Sequence, residues 1–179
     1  SLFGLLWPSG SHLAQRMALR PVNTQERILE IGCGLALSSL VGHRRGANIT
    51  ASDCHPLASA FLKENLRLNN LAPMAYKHGH WGQHNDQQQD ATVDSKFDLI
   101  IGSDILYERD ERGDLAHYIN DHMEDHAEVW VVDPNRGNRA HFHRNMAAQG
   151  FTLSEETLKV GATDGEAAYQ GRMLTYSRD

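Results

Sequence analysis

Residues 27–31 form an apolar run of strand length. The run stops at Gly32 and Gly34 and passes directly into a stretch of helical spacing over about 36–45. A strand that ends in glycines and feeds a helix admits few surroundings. Glycine permits the tight turn and lets the backbone come close to a ligand. The start of the helix leaves backbone N–H groups unpaired. Such a loop belongs at the carboxyl edge of a parallel sheet, where nucleotides bind. Gly46 is placed to end the helix.

The rest of the chain repeats this rhythm. A helix is expected over 11–19, with Leu13, Met17 and Leu19 on its apolar side and Ser11 as its cap. Residues 48–52 read as a second strand that ends at Asp53. Pro56 falls in the first turn of a helix reaching about Asn69, with Leu57, Phe61, Leu62, Leu66 and Leu68 marking its apolar side. A weaker strand spans 73–81, and the polar stretch 83–96 reads as an exposed loop with room for a short helix. Further strands fall at 97–102 and 127–132, and helices at 111–124 and 138–149. Residues 151–158 and 172–177 alternate with no helix between them, so they pair as an antiparallel hairpin. The expected fold is α/β: a doubly wound, Rossmann-like, mostly parallel seven-stranded sheet with helices on both faces and a C-terminal antiparallel hairpin. At 179 residues the chain reads as one domain over 1–179, with residues 1–20 a helical segment packing on it.

Three observations bound the function. The 17 Lys and Arg against 23 Asp and Glu make a net charge of -6, which argues against a dedicated nucleic-acid binder. No apolar stretch approaches the roughly 18 residues of a membrane span. Two cysteines, Cys33 and Cys54, are too few for a disulfide framework; buried free thiols in the cytosol are the simplest reading.

The glycine turn does not fit a dinucleotide. A G-x-G-x-x-G fingerprint started at Gly32 needs a small residue where Leu37 stands, and no Gly-Lys-Ser/Thr P-loop is present. The spacing Glu30, Gly32, Gly34, Ala36 instead resembles motif I of class I S-adenosylmethionine (SAM) dependent methyltransferases, with Ala36 where members usually carry glycine. That resemblance implies that Glu30 sits near the amino-acid portion of SAM. Asp53, about 20 residues further on, has two acceptor oxygens suited to the ribose diol. Cys33, Cys54 and Ser103 join the expected cofactor contacts.

Residues 97–108 read FDLIIGSDILYE, a buried strand followed by Asp104 and Tyr107 as Asp-x-x-Tyr. This resembles motif IV of the small protein-lysine methyltransferases grouped with nicotinamide N-methyltransferase-like proteins. Trp7-Pro8-Ser9-Gly10 and Asp133-Pro134-Asn135-Arg136 resemble two further segments of that group. By resemblance Trp7 lines the cofactor pocket and Trp81 lies near the adenine. The group often has Asp-Trp-Gly there, whereas this chain has His80-Trp81-Gly82.

The implied reaction is methyl transfer from SAM, leaving S-adenosylhomocysteine, to an amine such as a protein lysine. The nucleophile must be neutral and aligned with the S–CH3 axis, yet a free lysine has a pKa of about 10.4. Asp104 is cast as an orienting group or proton acceptor, because its charge alone favours the ammonium form. Tyr107 is cast as a wall of the amine channel. A small-molecule amine substrate and a non-catalytic SAM-fold binding protein stay open as alternatives. Nucleic-acid methylation is disfavoured, since residues 103–106 lack the Asn/Asp-Pro-Pro-Tyr/Phe pattern that holds a flipped base. The eleven histidines include His78, His80 and His84 close together and His122 four residues before His126. Neither set supplies the three or four converging ligands of a metal site.

Overall fold

The computed structural model describes residues 3–82 and 91–179. Seven strands form one sheet: β1 (Arg27–Glu30), β2 (Asn48–Asp53), β3 (Ala75–His78), β4 (Phe97–Ser103), β5 (Met123–Asp133), β6 (Thr152–Val160) and β7 (Tyr169–Arg178). Their order is β3-β2-β1-β4-β5-β7-β6. The first five run parallel, and β7 enters antiparallel between β5 and β6. The described residues also form the helices α1 (Pro8–Leu19), α2 (Leu37–Arg44), α3 (Ala58–Leu68), α4 (Asp114–Asp121) and α5 (Arg139–Ala148).

The central strands are apolar on both sides because both sides are covered. Leu29, Ile100, Val129, Val131, Leu174 and Tyr176 pack with Leu115 and Ile119 of α4 and Phe142 and Met146 of α5. Their neighbours Ile28, Leu99, Ile101, Val132 and Met173 turn the other way and meet Leu13 and Met17 of α1. Ala51 of β2 packs beside Leu62 and Leu66 of α3. Fully burying each such aliphatic side chain contributes about 1.5–3 kcal/mol, so the strand parity fixes which helix covers which face. The edge strand β6 is mostly exposed and carries Glu155, Glu156 and Lys159, charges that discourage pairing with another chain.

Several local expectations are corrected. The first helix begins at Pro8, and Ser11 lies inside it rather than capping it. Proline's fixed φ suits the first turn and overrides the cap signal. Pro56 precedes α3, which starts at Ala58. The bend before α3 is held by His55 N donating to Asp53 Oδ1 (2.9 Å) and Leu57 N donating to His55 Nδ1 (3.1 Å). In α3 the buried residues are Ala58, Leu62 and Leu66, spaced by four, whereas Leu57, Phe61 and Leu68 are exposed. The fourth helix spans only Asp114–Asp121, and its first N–H groups reach back to the Asp110 carboxylate from Leu115 and Ala116. β5 begins at Met123, with a register shift against β4 that hides its polar first half from a periodicity reading. Of the polar stretch 83–96, residues 83–90 lie outside the described residues. Beyond them Thr92 bridges to His78, and Val93 is buried in the core.

Candidate active site

Strands β1 and β4 are neighbours in the sheet. The chain leaves β1 toward the face covered by α1 and α2, and leaves β4 toward the face covered by α4. A crevice opens at such a reversal. Here it is a cavity of about 350 Å3 walled by the turn after β1, the loop after β4, the entry to α1 and Arg136.

The turn is shaped by three left-handed residues: Gly32 (φ +56°), Gly34 (φ +53°) and Ala36 (φ +60°). At Gly32 a Cβ would also stand 3.1 Å from Ile105 Cγ2. Ala36 adopts this conformation at a cost of about 1–2 kcal/mol, and its N–H donates to the Cys33 carbonyl at 2.7 Å.

Two carboxylates brace this turn. Glu30 is 2% exposed, and its Oε1 accepts from Ser39 N (3.1 Å) and Ser39 Oγ (2.6 Å). It thereby satisfies one of the unpaired donors at the start of α2, which has no side-chain cap of its own. Burial pushes the Glu30 carboxyl up to about 7; the Ser39 bonds oppose that rise and the Asp53 charge adds to it. Asp53, also buried, accepts from Gly34 N through Oδ2 (2.8 Å) and from His55 N through Oδ1 (2.9 Å).

Asp104 follows β4 in a left-handed conformation, φ +53°, which Asp tolerates better than most side chains. Its N–H donates to the Val132 carbonyl at 2.8 Å. Its carboxylate, 12% exposed, receives Arg136 in a bidentate pair: Nε to Oδ1 at 2.8 Å and Nη2 to Oδ2 at 2.7 Å. Tyr107 stands half exposed at the cavity mouth. Burial of its ring, with the Cys54, Glu108 and Asp53 side chains adding to it, pushes its hydroxyl up to about 12. It is therefore a donor at neutral pH.

Of the residues expected from the sequence, Trp7, Glu30, Gly32, Cys33, Gly34, Ser103, Asp104 and Tyr107 line this one cavity. Asp53 and Cys54 stand outside its lining, and so does Trp81. Trp81 lines a neighbouring hollow of about 440 Å3 with His80, Tyr107 and the acidic loop before α4. Cys33 is buried and Cys54 is exposed, which corrects the expectation of two buried thiols; both are free. Leu5, Leu6, Gly10, Ser38 and Arg136 also line the cavity and were not singled out as site residues. For Arg136 the signal was present in its Asp-Pro-Asn-Arg segment. Among the described residues no three His, Cys, Asp or Glu gather to hold a metal; His84 lies outside them.

The family model described as lysine methyltransferase matches residues 4–149. The chain belongs to this lysine methyltransferase family. It is 28% identical over 137 residues to the electron transfer flavoprotein beta subunit lysine methyltransferase of Danio rerio, covering 75% of this chain and 50% of that protein. It is 28% identical over 131 residues to the protein N-lysine methyltransferase METTL21A of Mus musculus, covering 71% of this chain and 58% of that protein. The chain thus spans little more than half the length of these relatives. In fold it resembles the magnesium protoporphyrin IX methyltransferase of Synechocystis PCC 6803, solved with bound SAM. That likeness has a TM-score of 0.68 at 16% identity over 95% of this chain and 78% of that one. Both the class I methyltransferase fold and the family read from Glu30, Gly32, Gly34 and Asp104-x-x-Tyr107 are borne out.

Proposed function

We propose that this lysine methyltransferase family member transfers a methyl group from SAM to a lysine side chain of a protein. The observation that carries the reading is the shared cavity: the braced turn at Glu30–Gly34 and the Asp104–Tyr107 pair open onto one space.

The residues present suit the cofactor. The glycine turn presents backbone to a ligand without Cβ atoms in the way, and the buried Glu30 carboxylate suits the cofactor's ammonium group. Asp53, just beyond the cavity lining, retains acceptor capacity for ribose hydroxyls that reach past the glycine turn, and Trp7 lines the cavity at the entry to α1. SAM supplies an electrophilic methyl on a sulfonium. The chain's own residues do the rest. Leu5, Leu6 and Trp7 give the cavity an apolar, partly exposed wall on the side of α1. Asp104 accepts a hydrogen bond from the incoming amine and aims its lone pair, and the Tyr107 hydroxyl donates beside it. Tyr107 also offers an aromatic face that tolerates a methylated ammonium.

The relatives' names support a protein substrate over a small amine, and the half-exposed Tyr107 at the mouth suits a side chain arriving from outside. No helix among the described residues is long and apolar enough to cross a membrane. We place the protein in the cytosol on the strength of its free thiols, and read residues 1–179 as one methyltransferase domain that includes the N-terminal helix. Methyl-labelled SAM, incubated with the purified protein and a cell extract, tests this reading. Label in a protein band, released as methyl-lysine on hydrolysis, is the expected result. Label only in small molecules overturns the protein-lysine assignment, and no transfer with intact SAM binding favours a non-catalytic binding protein.

A further inference from the structure

A bare Asp104 poses a chemical problem for the reading above. A lone carboxylate beside the acceptor nitrogen stabilises the ammonium form, which has no lone pair to attack with. In the structure Asp104 is not bare. Both of its oxygens are held by Arg136 in the fork geometry that only a guanidinium provides. The two residues leave the ends of adjacent parallel strands: Asp104 follows β4, and Arg136 follows β5 after the left-handed Asn135 (φ +62°). Both line the cavity. The Asp104 carboxylate is nearly buried while Arg136 is half exposed, and because the pair forms part of the cavity wall, its net charge acts on whatever the cavity holds.

We propose that Arg136 is a positioning residue for methyl transfer: it fixes the Asp104 carboxylate and cancels its charge, so that the site receives the amine in its neutral form. This inference rests on the SAM-dependent reading. Each Asp104 oxygen keeps a second lone pair, so the paired carboxylate still accepts an N–H bond from the substrate. Orientation is retained while the field that holds the proton on nitrogen is reduced.

The test is an equilibrium one and needs no substrate. Sinefungin carries CH–NH3+ where SAM has S+–CH3, whereas S-adenosylhomocysteine is neutral there. The ratio of their dissociation constants reads the field at the transfer point, and effects common to both ligands divide out. Titration calorimetry at low salt is applied to the wild type and to R136M, R136Q and R136K. In R136M and R136Q, preference for sinefungin rises about fivefold or more, since Asp104 is left uncompensated. R136K keeps the charge and stays near the wild-type ratio. Equal ratios in wild type, R136M and R136Q overturn the proposal; R136Q, a polar residue at a half-exposed position, guards against a folding defect in R136M. A wild type that binds both ligands with a ratio unmoved by substitution rejects only the role of Arg136. A wild type that binds neither rejects the cofactor reading and this inference together.

Discussion

The Gly34 N–H donates to Asp53 Oδ2 across 2.8 Å, and the bond ties the glycine turn after β1 to the end of the neighbouring strand β2. The other oxygen of the same carboxylate holds the bend that leads into α3. One buried side chain therefore sets the shape of two loops at the sheet edge. The turn's geometry depends on a residue that lines no part of the cavity.

Replacing Asp53 with alanine leaves two backbone N–H groups without their partner, at a cost of about 1–3 kcal/mol for a buried donor. The melting temperature is expected to fall by about 2–4 °C per kcal/mol for a chain of this size. SAM affinity should fall by about tenfold or more as the turn relaxes. D53N keeps one acceptor oxygen and should lie between. Thermal melts and calorimetry on the three proteins check this; unchanged melting and binding in D53A means that the turn holds itself.

Glu30 predicts a pH dependence of stability. Its folded carboxyl titrates at about 7, above the ordinary 4.5. Between these values the unfolded chain releases a proton that the folded chain keeps, so stability falls as pH rises through the window. The full difference is about 3 kcal/mol, present above the folded value and absent below the unfolded one. E30Q cannot ionise and keeps an acceptor for Ser39. Its stability relative to wild type should therefore rise from about pH 5 to about pH 7 and level off above. Urea denaturation across that range measures it, and a pH-independent difference refutes the buried-carboxyl account.

The same group predicts proton release on cofactor binding. A cationic ligand beside Glu30 favours its ionised form. Near neutral pH, SAM binding should expel a fraction of a proton. Calorimetric enthalpies should then vary with the ionisation enthalpy of the buffer; a zero slope at about pH 7 counts against contact between Glu30 and the ligand's ammonium.

Asp104 is best replaced by asparagine. Its φ of +53° is one that Asn also tolerates, so D104N tests chemistry rather than backbone strain. Methyl transfer should drop by about a hundredfold or more, in keeping with loss of a positioned acid–base or orienting group. SAM should still bind saturably. Turnover equal to wild type removes Asp104 from the mechanism.

Gly171 of β7 tests the packing behind the site. A Cβ there would stand 2.6 Å from the Asp133 carbonyl oxygen on the paired strand β5, a backbone atom with little freedom to move. G171A should cost about 1–3 kcal/mol, the range for overpacking. A melting temperature within error of wild type means that the β5–β7 pairing gives way more easily than the structure indicates.

The class of fold and the family were legible because their signals are local. Strand, glycine turn and helix follow one another within residues 27–45, and Asp104-x-x-Tyr107 closes a strand of its own. Short-range steric rules act on neighbours in sequence, so spacing alone carries them. Caps and bends were read less well. Ser11 looked like a cap and is not one, while Asp110 caps α4 from outside its helix and Glu30 does the same for α2. Nothing local marks a cap that arrives from another element.

The pairings at the site lie beyond sequence altogether. Asp53 and Gly34 are 19 residues apart, Asp104 and Arg136 are 32 apart, and Ser9 meets the Tyr169 hydroxyl across 160. Residue types and order placed carboxylates and glycines at strand ends, and left Arg136 only as part of the Asp-Pro-Asn-Arg segment. Which carboxylate faces the cavity, which one braces the turn and which one the arginine holds was decided by how parallel strands bring distant loops to one edge. A hydrogen bond depends on position and angle in space, and the sequence encodes those only through the finished sheet.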